Sequence, residues 1–288
     1  MSQHGSMADQ TAAAKERMGH VAHKIIVLSG KGGVGKSTVA VNLAVSLALE
    51  GKRVGLLDID LHGPTVPQLL GLRGQSMLTE AGVVLPIDVG DNIKVMSIDF
   101  WIADQDGPVV WRGPMKAEII QQFLSNVEWG ELDYLIIDSP PGTGDEPLTV
   151  VQTIGDLDGA VIVTTPQETA LSNVRRSINF CRLLELPVLG VVENVSGFVC
   201  PHCGEVTDVF GKGGGETMAR KFGVPFLGRI PLEPQMAEAG DAGAPYMYHY
   251  SKTRAAAEFR KIIVPILELD NEDGRHDDKS RPAHSENA

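Results

Sequence analysis

Ser29-Gly30-Lys31-Gly32-Gly33-Val34-Gly35-Lys36-Ser37-Thr38 decides how this 288-residue chain is read. Gly30 through Ser37 meets the pattern G-x-x-x-x-G-K-[ST] of a phosphate-binding loop. The apolar run before it, Ile25-Ile26-Val27-Leu28, predicts a buried strand. Val39-Ala40-Val41-Asn42-Leu43-Ala44-Val45, after it, predicts a buried helix. Strand, glycine-rich turn and helix form the setting this pattern requires. Glycines let backbone N–H groups close around phosphate oxygens, and the helix N-terminus adds a favourable dipole. Gly30, Lys31, Gly32, Gly33, Val34 and Gly35 supply that cradle. Lys36 is placed to reach the β- and γ-phosphates, the Ser37 hydroxyl to ligate Mg²⁺, and Thr38 to touch the α-phosphate. Lys31 is one cation more than the pattern needs. With Lys36 already at the γ-phosphate, Lys31 can reach across a two-fold axis to the nucleotide of a partner subunit. The plainer reading is a solvated surface lysine.

Composition narrows the setting. Hydrophobic residues make up 43% of the chain and aromatics only 5%, so the apolar content is mostly Val, Ile, Leu and Ala. That suits parallel strands buried on both faces. Acidic residues outnumber basic ones, 37 to 25, for a net charge of -12, which argues against broad nucleic-acid binding. No run approaches the ~18 apolar residues of a membrane span. Met1 to Gly19 lacks the apolar segment of a signal peptide, so the expected location is cytoplasmic, with neither nucleic acid nor membrane as a partner. Three cysteines do not make a disulfide framework.

Residues 1–20 read as a flexible leader and 271–288 as a disordered acidic tail. Between them, 21–270 reads as a single domain in which strands and helices alternate. Expected strands are His23–Ser29, Arg53–Asp58, Ile93–Ile98, Tyr134–Asp138, Ala160–Thr164, Val188–Glu193 and Phe226–Ile230. Expected helices are Ser37–Glu50, Met115–Val127, Pro147–Thr153, Ser172–Leu184, Gly215–Phe222 and Thr253–Leu269. Such alternation predicts an α/β fold, a doubly wound, mostly parallel sheet with helices on both faces. Leu61–Asp91 is less regular.

In such sheets ligands sit beyond the carboxyl ends of the strands. Leu56-Leu57-Asp58-Ile59-Asp60 ends one strand with two aspartates pointing to opposite sides. Asp60 is the candidate to position or activate the attacking water, and Asp58 to support the metal shell or the loop. Tyr134-Leu135-Ile136-Ile137-Asp138-Ser139-Pro140-Pro141-Gly142-Thr143-Gly144-Asp145 ends a second strand. There Asp138 is expected to hold Mg²⁺ through a water. Asn194, in Val192-Glu193-Asn194-Val195, is placed to meet a purine edge. The absence of N-K-x-D favours ATP over GTP.

Phe198-Val199-Cys200-Pro201-His202-Cys203-Gly204 reads as a metal knuckle. Cys200 and Cys203 supply two of the four ligands that zinc or an iron–sulfur cluster normally takes. A symmetric dimer would complete a four-cysteine site across its axis. The metal stays open between a [4Fe–4S] cluster and zinc, and a redox dithiol is a third reading. Cys181, in a helix pattern, reads as a buried small hydrophobe.

With these residues together, the chain resembles the Mrp/ApbC group of cytosolic iron–sulfur cluster carrier ATPases. That group lies within the deviant P-loop clan of MinD, ParA and the nitrogenase iron protein. The resemblance spans about Lys24 to Leu269. It rests on Gly30–Ser37, on Leu57-Asp58-Ile59-Asp60 with Gly63-Pro64, on Asp138–Asp145, and on Cys200-Pro201-His202-Cys203. It implies an ATP-hydrolysing homodimer that binds a labile [4Fe–4S] cluster between subunits and passes it to apoproteins. By position, Lys31 would be the signature lysine, Asp60 the water-positioning aspartate, and Cys200 and Cys203 the cluster ligands. Lys31, Lys36 and Asp60 are thus the expected catalytic set. The leader carries no cysteine, as in the short form of the group. The alternatives are a positioning or partitioning ATPase of the MinD and ParA kind, or the same ATPase with a structural zinc.

Overall fold

The computed structural model describes residues 7–61, 63–80, 83–101 and 113–272. Among them the strands are β1 (Val21–Leu28), β2 (Val54–Asp58), β3 (Leu78–Glu80), β4 (Val83–Leu85), β5 (Ile87–Val89) and β6 (Ile93–Ser97). They continue with β7 (Leu132–Asp138), β8 (Gly159–Thr164), β9 (Val188–Glu193), β10 (Phe198–Val199), β11 (Val206–Thr207) and β12 (Phe226–Arg229). One eight-stranded sheet runs β12-β9-β8-β1-β7-β2-β6-β5. Its pairings are parallel except for β5, which lies antiparallel to β6 at one edge.

The central strands are apolar because both faces are covered. Ile25, Ile26 and Val27 of β1 are fully buried, as is every residue of β2 and β8. The helix Lys36–Leu49 seals one face with Val39, Ala40, Leu43, Ala44 and Leu47, all fully buried. Each such side chain contributes about 1.5–3 kcal/mol of transfer free energy, set against the entropy of ordering it. The chain leaves β1 toward β2 on one side and returns to β8 on the other. The sheet order therefore reverses beside β1, and a doubly wound sheet opens its ligand crevice at such a point.

Four regions depart from the sequence reading. Of the flexible leader expected over 1–20, Met7–Met18 is a helix, and residues 1–6 lie outside the described residues. Ala14 and Met18, one turn apart, are fully buried, and the helix packs on the helices Gly113–Asn126 and Asp145–Ile154. Arg17 fastens it, with Nε donating to the Ser125 carbonyl at 2.6 Å and the guanidinium paired with Glu128. The helix expected over Thr253–Leu269 is divided into Arg254–Ile262 and Val264–Leu267. Pro265 has no N–H to continue the first segment. The irregular stretch Leu61–Asp91 holds a short helix, Val66–Leu69, the hairpin β3–β4 and strand β5. Of the acidic tail expected over 271–288, Asn271 and Glu272 close the helix Leu269–Glu272, and the rest lies outside the described residues.

Candidate functional site

The glycine-rich loop leaves β1 and enters the helix Lys36–Leu49, as its pattern predicts. Gly35 at the helix N-cap has φ 79, and no side chain caps the helix. The first N–H groups of that helix are therefore not taken by a capping side chain. Gly30 is pressed against its neighbours, for a Cβ there would lie 2.5 Å from the Asn173 carbonyl oxygen. A cleft of about 420 Å³ opens over the loop, lined by Gly32, Gly33, Gly35, Lys36, Ser37 and Thr38 on one side. Asp60, Gln68, Pro141 and Met236 close the others. Lys31 is half-exposed and does not line that cleft, and its ammonium has no ion pair among the described residues.

Lys36 is buried at the floor. Its Nζ lies 2.5 Å from Asp138 Oδ1, 3.4 Å from Ser37 Oγ and 3.9 Å from Asp60 Oδ2. Strand register explains the gathering: Asp58 of β2 stands beside Asp138 of β7, and Val27 of β1 lies on the other side of Asp138. Asp58 is fully buried and accepts from the Asp60 N–H at 3.1 Å, the Val66 N–H at 3.3 Å and the Ser97 hydroxyl at 3.1 Å. It holds the loop that carries Asp60. Burial, with the Asp138 charge beside it, pushes the Asp58 carboxyl up to about 8. Two carboxylates, Asp138 and Asp60, thus share one buried ammonium, and among the described residues Asp138 Oδ2 is buried with no hydrogen-bond partner. That surplus of negative charge and the orphaned oxygen fit a divalent cation.

Asn194 stands at the end of β9. Its Nδ2 donates to the Val34 carbonyl at 2.9 Å, inside the loop itself. The side chain expected to meet a purine edge has one of its two amide N–H donors committed to the loop. Its first contact is support of the phosphate cradle.

The cysteines form a separate half-site. Cys200 follows β10, which pairs antiparallel with β11. The Cys200 N–H donates to the Glu205 carbonyl at 2.9 Å, and the Gly204 N–H returns to the Cys200 carbonyl at 2.8 Å. Gly204 takes φ 72, the left-handed conformation that closes such a turn. Cys200 is half-buried, Cys203 is exposed, and both are free thiols. The N–H groups of Cys203 and His202, aimed at the Cys200 sulfur, hold its thiol below the ordinary range. Cys181 is buried, and burial pushes its thiol up to about 12. Among the described residues no third His, Cys, Asp or Glu joins the pair to make a metal-binding set. Val206, Val209 and Phe210 beside the hairpin are exposed.

Part of the site has no motif. Met236, Ala237, Gly240 and Asp241 reach the cleft from the helix Pro234–Asp241, whose only sequence signal is a proline at its start. Glu193, fully buried, anchors the glycine stretch after the hairpin, accepting from the Gly213 and Gly215 N–H groups at 2.9 and 2.6 Å.

Comparison with known proteins agrees with this geometry. A nucleotide-binding protein from Archaeoglobus fulgidus, solved in complex with ADP, superposes with a TM-score of 0.73 at 42% identity, covering 83% of this chain and 93% of that one. The cell division ATPase MinD of Pyrococcus furiosus superposes at 0.63 with 25% identity, covering 86% and 99%. An iron-sulfur cluster carrier protein of Methanocaldococcus jannaschii is 52% identical over 91% of this chain and 90% of its own. The cytosolic Fe-S cluster assembly factor NUBP2 of Gallus gallus is 45% identical over 90% and 97%. Residues 20–267 match the family model of the NUBPL iron-transfer P-loop NTPases. With a doubly wound sheet, an uncapped phosphate loop and a cysteine hairpin in one chain, this protein belongs to the NUBPL iron-transfer P-loop NTPase family.

Proposed function

We propose that the chain is an ATP-hydrolysing homodimer that holds a labile [4Fe–4S] cluster between its subunits and delivers it to apoproteins. The observation that carries this reading is the incomplete cysteine site. One hairpin offers Cys200 and Cys203 with no third ligand near them among the described residues, so four sulfurs require two chains. The names of the curated relatives support cluster carriage and a cytosolic setting. No described helix is long and apolar enough to cross a membrane.

The nucleotide chemistry follows from the floor of the cleft. Phosphate entering the loop competes with Asp138 for the Lys36 ammonium, because both need the same Nζ. Ser37 and Asp138 would hold Mg²⁺, which when bound neutralises phosphate oxygens. Asp60, near Lys36 and on a loop fixed by Asp58, orients the attacking water. Lys31, outside its own cleft, serves the nucleotide of the partner subunit, so hydrolysis belongs to the closed dimer.

Anaerobic reconstitution with iron and sulfide tests the proposal. The parent should take up about four iron per two chains, and Cys200→Ala and Cys203→Ala should take up none. Variants that load like the parent would contradict it, and zinc in place of iron in anaerobically purified protein would favour a structural metal.

A further inference from the structure

The end of β9 reaches both half-sites. Asn194 grips the phosphate loop through the Val34 carbonyl, and a Cβ on Gly35 would approach its Nδ2 to 2.2 Å. The contact therefore fixes how that loop sits. The next residue, Val195, has φ 56. A β-branched side chain in this left-handed region is strained, and such a conformation persists only where its surroundings hold it. They do so here on both sides. The Asn194 N–H donates to the Thr164 carbonyl at 2.7 Å, and the Ser196 N–H to the Ile230 carbonyl at 2.9 Å. The chain then runs into the cysteine hairpin. The Leu232 N–H donates to Gly197 at 2.7 Å, and the Val199 N–H donates back to Leu232 at 3.1 Å. Glu193 closes the circuit, because its carboxylate takes the Ser196 hydroxyl at 2.5 Å as well as the loop returning from the hairpin.

We infer that Asn194, Val195 and Ser196 form the link by which nucleotide in the cleft alters the geometry of Cys200 and Cys203. Asn194 is a positioning residue that follows the Val34 carbonyl. Val195 is the bistable element, since relaxed conformations lie at negative φ. Glu193 is the fixed point against which the hairpin moves. A discrete backbone state, biased from one end, gives coupling between sites a physical carrier. The inference rests on the reading of the cysteine pair as half of a shared metal site, but its test needs no metal.

Alkylation of Cys200 and Cys203 by iodoacetamide in the metal-free full-length protein, followed by peptide mass analysis, measures the hairpin directly. Buried Cys181 serves as the internal control. In the parent, a saturating non-hydrolysable ATP analogue with Mg²⁺ should change the alkylation rate by about fivefold or more. Asn194→Ala and Val195→Gly, each saturated with the analogue, should respond less than about twofold while still dimerising with it. Glycine adopts the left-handed conformation without strain, so Val195→Gly slackens the link and carries the test should Asn194→Ala not fold. A parent without response, variants with the full response, or a response lost only together with dimerisation would each overturn the inference. Failed cluster reconstitution beside an intact, variant-sensitive thiol response would sink the carrier reading and leave the link standing.

Discussion

Lys36 and Lys31 share one loop and stand in opposite environments. Lys36 is buried among Asp138, Ser37 and Asp60, whereas Lys31 is half-exposed and off its own cleft. Their replacements should therefore separate binding from hydrolysis. Lys36→Met removes a charge-assisted contact worth about 1.5–3 kcal/mol, so titration calorimetry should show ATP affinity about 10- to 100-fold weaker. Lys31→Ala should bind ATP almost as the parent does while hydrolysis falls by about a hundredfold, the usual loss of one transition-state donor. Unchanged hydrolysis would remove Lys31 from the mechanism. Gly35→Ala combines a positive φ with a collision on Asn194 and should disable nucleotide binding more than it destabilises the fold, as read by calorimetry beside urea unfolding. The loop Gly30 through Ser37, between its strand and its helix, was legible because the pattern is local in sequence. Asn194 was not legible in the same way. Its position at a strand end marked it for the site, but its partner, Val34, lies far along the chain, and no spacing rule connects them.

At the scale of elements, periodicity located the parallel strands of the central sheet and the longer helices beside them, and it missed the short strands β3, β4, β5, β10 and β11 and the helices Met7–Met18 and Pro234–Asp241. The helix Met7–Met18 has a polar composition that reads as a tail, yet Ala14 and Met18 make one buried stripe. Met18→Ala should cost about 2–5 kcal/mol in urea unfolding, whereas a free leader would show almost none. Pro265, by contrast, is a local signal in the sequence, and it divides the last helix. The opposite end of the sheet from the nucleotide carries its own electrostatics. Buried His23 of β1 places Nδ1 3.1 Å from Asp158 and Nε2 3.3 Å from Asp270 near the last described residues. Burial acts to raise the Asp158 carboxyl, but the His23 imidazole and the Lys24 N–H outweigh it and hold the group below the ordinary carboxylate range. A depressed carboxylate contributes stability that is present above its unfolded pKa and lost as pH falls through the folded one. Stability should therefore fall in acid below about pH 4, and Asp158→Asn should flatten that limb in pH-dependent denaturation.

For the whole molecule, the parallel sheet places the two features at the carboxyl ends of its strands, the phosphate loop after β1 and the cysteine hairpin after β9. The fold was legible because apolar strands alternating with helices admit few topologies. On the proposed reading the assembly is written only as a deficit: Cys200 and Cys203 are half of the four sulfurs a cluster would take, and Lys31 does not line its own cleft. Native mass spectrometry of the anaerobically reconstituted protein measures that deficit directly. The account predicts one [4Fe–4S] cluster on two chains, with Cys200→Ala yielding chains without a cluster. A metal centre carried by a single chain would contradict it.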